Sequence, residues 1–138
     1  MKNLNNLFRT IIAVVMMLIA TLPSLAHDFE VDGIYYEYLD KSAKKVAITF
    51  GDNKYTGTIT IPSSVTYSGI SYSVAEIGDG AFYGCTGLTK VTIPNSVTEI
   101  GYGAFDGCTG LKSIIIQNPD VKIGGDAIPE GVKVIMEK

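Results

Sequence analysis

The sequence has no Trp, a single His, two Cys and only one Arg, at position 9. Each shortage closes off a class of chemistry. With His27 as the only imidazole, a Ser or Cys nucleophile has no other base to draw on, and a copper site clamped between an N-terminal His and a second His lacks its second ring. Two thiols and a distant His do not make a zinc set, and the acids lack the spacing of a calcium loop. Beyond residue 26 the chain carries nine scattered Lys against fourteen acids, a formal −5. The basic patch that phosphate binding requires is missing, so neither nucleic acid nor an anionic membrane surface is an expected partner. No cofactor or metal is expected either. What remains is apolar: 46% of residues are hydrophobic and 18% charged, with eight Tyr and five Phe. A chain of 138 residues with that balance supplies one compact domain and offsets its ordering entropy by burial.

The first residues read as a secretory signal. Lys2 and Arg9 precede the unbroken run Ile11 to Ala20, and Pro23 with Ser24-Leu25-Ala26 follows as a cleavage site. A bilayer span needs about 20 apolar residues, which this run does not reach, so cleavage after Ala26 is expected instead of an anchor. The expected product begins at His27, is not inserted in a membrane, and is exported to the periplasm, the cell surface or the medium.

Sliding the chain on itself by 23 residues lays Ile77 to Leu88 on Ile100 to Leu111, with ten of twelve positions identical. A third, decaying copy keeps Ile123, Gly124, Ala127 and Ile128 before Pro129 breaks the pattern. Each Leu is followed by a short alternating run, Val91-Thr92-Ile93 or Ile114-Ile115-Ile116, and Ile59-Thr60-Ile61-Pro62 matches the first of these upstream. A unit this short cannot bury its own apolar face and must stack on its copies. Columns Ile77/Ile100/Ile123 and Phe82/Phe105/Ile128 are then expected to form the core. The spacing of Phe82, Cys85 and Leu88 suggests one helical turn per rung. Gly78, Gly101 and Gly124 mark a corner that needs either positive φ or room for a close backbone approach.

The residues Ile77 to Gly101, with Ile-Gly-x-x-Ala-Phe-x-x-Cys-x-x-Leu-x-x-Val-x-Ile-Pro-x-x-Val-x-x-Ile-Gly, resemble the BspA-type leucine-rich repeat. The resemblance covers two full units and a degenerate third, over residues 77 to about 136. It implies a secreted or surface-exposed bacterial protein whose curved solenoid acts in adhesion and protein recognition. Phe29 to Val74 is similar to the region that often precedes such repeats. Ser96 stands where the better-known consensus puts a ladder Asn or Cys.

The expected fold is therefore an α+β repeat solenoid of period 23 with an N-terminal β-hairpin cap. Its organisation is a signal peptide over 1–26, a β cap and first strand over 27–74, and repeat units over 75–138 with a shortened last rung. Asp32-Gly33 between two alternating runs is a two-residue hairpin signal. Such a cap covers an edge that would otherwise pair with other chains, and Val132 to Ile135 is expected to close the far end.

Three functions compete. Cys85 and Cys108, in one column, stand within reach of a bridge, but the repeat position reads them as small packed hydrophobes with free thiols. Glu76 and Glu99, one repeat apart, have the carboxylate spacing of a retaining glycosidase. Their column continues into Lys122, as a solvated charge ladder would. An enzyme is accordingly the last choice, a structural or residual piece of a longer repeat protein the second, and an interaction module the first. Its partner would be a protein, from a host or its extracellular matrix or from another surface. The expected binding face is the outward side of the strands, with Thr60, Thr92, Ile115 and Lys133 in one column and Thr58, Lys90 and Ser113 beside it. Ile115 is its central apolar residue.

Overall fold

The structure is a computed structural model that describes residues 27–137; the signal peptide expected over 1–26 lies outside the described residues. The strands are β1 (Phe29–Val31), β2 (Ile34–Asp40), β3 (Lys45–Thr49), β4 (Gly57–Thr60), β5 (Ser64–Tyr67), β6 (Ile70–Ile77), β7 (Leu88–Ile93), β8 (Glu99–Ile100), β9 (Ser113–Ile116), β10 (Lys122–Ile123) and β11 (Lys133–Met136). They form two sheets. One runs β1-β2-β3-β6-β8-β10, with β5 also paired to β6, and the other runs β11-β9-β7-β4. From β3 and β4 onward successive rungs pair in parallel, each giving one strand to each sheet.

The expected α+β class is wrong: among the described residues there is no helix, and the fold is an all-β repeat stack. The segment read as a helical turn is a chain of tight turns. Ala81, Tyr83 and Cys85 donate their amides three residues back, to Gly78, Gly80 and Phe82. Gly80 and Gly84 have φ of 60° and 68°, a left-handed conformation that stops a right-handed helix from propagating. The intervening amides are used elsewhere, because Gly80, Phe82 and Gly84 donate to the carbonyls of Tyr102, Ala104 and Asp106 on the next rung. An α-helix would need those same amides for its own ladder.

The corner glycines are a matter of space. A Cβ on Gly101 would stand 2.5 Å from the Asp79 amide nitrogen and 2.7 Å from the Gly78 carbonyl carbon, and one on Gly124 would stand 2.8 Å from the Tyr102 amide nitrogen. Rungs touch there through bare backbone. The expected Asp32-Gly33 hairpin is present, with φ of 51° and 78° joining β1 to β2. A second hairpin, Ser68-Gly69, joins β5 to β6 with nearly the same angles.

The core fills the space between the sheets and the turns. Phe82, Phe105, Ile77, Ile100, Leu88, Val91, Ile93, Ile114 and Ile116 are fully buried. Val91 and Ile93 therefore point inward, as do Ile114 and Ile116, in keeping with period-two alternation. Two expectations fail at the C-terminal end. Ile123 is 47% exposed, so the isoleucine column does not stay buried through the third rung. The shortened rung forms as β11, but Val134, Ile135 and Met136 are 40%, 37% and 48% exposed, so it leaves that end open.

Candidate interaction face

The outward side of the four-stranded sheet is built from the positions between the buried ones. Its register sets Thr60 beside Thr92, Thr92 beside Ile115 and Ile115 beside Ile135. A neighbouring column runs Thr58, Lys90, Ser113, Lys133. Thr60, Lys90 and Lys133 are exposed, whereas Thr92, Ser113 and Ile115 are half-buried. The expected face residues thus all lie on one surface, but Lys133 belongs to the Lys90 and Ser113 column, and Ile135 takes the place beside Ile115. The reason is the rung length: 32 residues separate Thr60 from Thr92, 23 separate Thr92 from Ile115 and only 20 separate Ile115 from Ile135. Lys133 and Ile135 share the outward side of the alternating run Lys133-Val134-Ile135-Met136, so the alternation marks both as outward and only the pairing shows which one stands beside Ile115. Chemically the surface is a two-isoleucine stripe flanked by hydroxyls and two ammonium groups. It suits an apolar contact with acidic neighbours.

The side of the stack formed by the other sheet is acidic. Glu76 pairs in register with Glu99, and Glu99 with Lys122. Burial raises the Glu76 carboxyl above its ordinary value, and the charges of Glu99 and Asp79 raise it further, while Lys45 opposes them. Glu37 is raised in the same way, first by burial and then by Asp28, Glu76 and Asp79. Burial comes first at both, and repulsion along a ladder with a cation at its end adds to it.

Cys85 and Cys108 are buried free thiols. The Cys108 thiol lies 2.9 Å from the Phe82 carbonyl oxygen it donates to. The neighbouring Cys108 side chain lowers the Cys85 thiol to about 7, and the same pairing keeps Cys108 protonated. His27 packs its ring on Tyr35, with centroids 4.6 Å apart. The corners after β7 and β9 are tied by side chains: the Ser96 hydroxyl donates to the Val74 carbonyl at 2.7 Å and the Asn118 amide to the Val97 carbonyl at 2.9 Å. Ser96 thus does the work of a ladder residue.

Comparison with known proteins agrees with this architecture. Among curated proteins none matches the chain. A leucine-rich repeat protein from Bacteroides ovatus superposes with a TM-score of 0.61 at 29% identity, over 80% of this chain and 38% of that one. A leucine rich cell surface protein from Faecalibacterium prausnitzii gives 0.57 at 35% identity, over 76% and 27%. A leucine-rich repeat protein from Bacteroides capillosus gives 0.61 at 25% identity, over 80% and 98%. The chain thus spans well under half the length of the first two. The sequence model of the BspA type leucine rich repeat region matches residues 49–128 in six copies, more than half of the 138 residues. By that match and by its stacked 23-residue rungs, the chain belongs to the BspA-type leucine-rich repeat family.

Proposed function

We propose that this chain is an exported protein-recognition module, acting in adhesion, whose binding face is the outward side of β4, β7, β9 and β11. The observation that carries the reading is the Ile115–Ile135 stripe, running from β9 to the edge strand β11 on the outward side of a parallel four-stranded sheet, with Lys90 and Lys133 in the neighbouring column. A repeat stack presents such a surface to one partner as a unit, and an apolar residue rimmed by polar groups that exclude water is a place where binding energy can concentrate. The partner class is a protein presenting an apolar side chain among carboxylates, from a host, its extracellular matrix or another cell surface. Export through the segment 1–26 accords with the cell-surface description of the relative from Faecalibacterium prausnitzii.

The test is capture of partners from host extracellular-matrix extract by the chain from His27, followed by Ile115→Asp. The variant is expected to keep a cooperative melt and lose capture, while Ile115→Thr, which copies Thr92, keeps the melt and part of the capture. Equal capture by the Asp variant would put recognition on another surface. A parent that captures nothing would favour a purely structural unit.

A further inference from the structure

The two ends of the stack are unlike. At the N-terminal end the β1–β2 hairpin pairs onto β3, while β10 and β11 are the last strands of their sheets at the other. The amides of Lys133 and Glu137 donate to the carbonyls of Lys112 and Ile116, at 3.0 and 2.9 Å. In a parallel ladder main-chain groups alternate in direction. Lys133, Ile135 and Glu137 therefore turn theirs to β9, and Val134 and Met136 turn theirs outward, along an edge that no other described strand pairs with. Such an edge is a template for another strand.

The side chains say which strand. Val134 and Met136 stand in register with the buried Ile114 and Ile116, so they point toward the core, and Lys133 and Ile135 point to the outer face. About Ile135 the segment Lys133-Val134-Ile135-Met136-Glu137 is complementary to itself. A two-fold axis through Ile135 brings Lys133 opposite Glu137 of a second copy, Val134 opposite its Met136 and Ile135 opposite its Ile135. Val134 and Met136 are the two residues whose N–H and C=O groups face outward, as a hydrogen-bonded antiparallel pair requires.

We propose that the β11 edge is a homodimer interface, in which two copies pair antiparallel about Ile135 and join their four-stranded sheets into one of eight strands. Val134 and Met136 of each copy then extend the core of the other across the open end, and two Lys133–Glu137 pairs fix the register. The arrangement is isologous and closed, so it stops at two. It also sets the outer faces of both copies side by side.

Sedimentation equilibrium of the chain from His27, over a dilution series, reads this directly. A dimer that dissociates on dilution is expected. Met136→Pro removes an N–H that serves no bond to β9, so the variant is expected to melt like the parent and stay monomeric. Charge reversal gives a second reading that needs no proline. Lys133→Glu and Glu137→Lys alone each set like charges opposite and are expected to weaken association about tenfold, while mixing the two variants restores it as a heterodimer. A parent that is monomeric at every concentration, species that grow beyond two, or a dimer indifferent to all three substitutions would overturn the interface.

Discussion

The ring of Phe105 lies flat against that of Phe82 on the preceding rung, with centroids 4.8 Å apart and planes 11° from parallel, and Tyr55 leans on the far side of Phe82 at 4.6 Å. One aromatic column thus runs from the cap into the repeats. It is the part of the core with the most to lose.

Phe105→Ala leaves a cavity between rungs that their main-chain bonds prevent from collapsing. A loss of about 3–5 kcal/mol is expected, read by urea unfolding. An unchanged midpoint would mean the rungs do not stack in this register.

Gly101→Ala forces the corner apart, because its new methyl meets the backbone of Gly78 and Asp79. The expected cost is about 1–3 kcal/mol. Gly125→Ala is the control, since its Cβ would meet only the Tyr102 ring, at 3.4 Å. That variant should melt close to the parent.

Glu76 ties stability to pH. Its folded value lies above the ordinary 4.5, so the folded state holds the proton more tightly than the unfolded one. Its contribution is fully present below pH 4.5 and is lost as pH rises through the folded value. Glu76→Gln is therefore expected to melt above the parent at neutral pH, by well under about 1 kcal/mol, with the gap closing toward pH 4.5. Melting temperatures of both proteins across that range check it.

The thiols offer a spectroscopic reading. Neither is expected to react with a bulky disulfide reagent in the folded protein, and both should react on denaturation. Thiolate absorbance should titrate near 7 for Cys85. Cys108→Ala removes the neighbouring thiol that lowers Cys85 most, so the titration should move upward.

The period, the core columns through Ile100 and Phe105 and the Asp32-Gly33 turn were legible because each is a local or repeated feature: identical residues at 23-residue spacing must occupy equivalent places. The turn segment was misread because a spacing of three is shared by helices and by successive tight turns. What separates them is the bonding of Gly80, Phe82 and Gly84 to a rung 22 residues away, which no local pattern records. The outward column was right where the period held, from Thr92 to Ile115, and wrong at Lys133, where the last rung is three residues short. Ser68-Gly69 between Val65-Thr66-Tyr67 and Ile70-Ser71-Tyr72 carried a readable hairpin signal, and the added strand pair is why the first rung is long. The open end at Ile123 and β11 was not visible, since alternation gives a residue's direction but not whether anything lies there.

The turns that bond Gly80, Phe82 and Gly84 to the rung after them recur one unit later, where Gly103 and Phe105 donate to Gly125 and Ala127. Because these links are main-chain to main-chain, and two of the three fall at the same places in the next unit, they do not depend on which side chains a unit carries at its outward positions. A gene encoding such a chain can gain or lose whole units by duplication or deletion and still yield a matched stack, whereas an insertion of half a unit would set corner glycines against side chains. Length is thus free to vary in steps of one rung, and outward residues are free to diverge within each step.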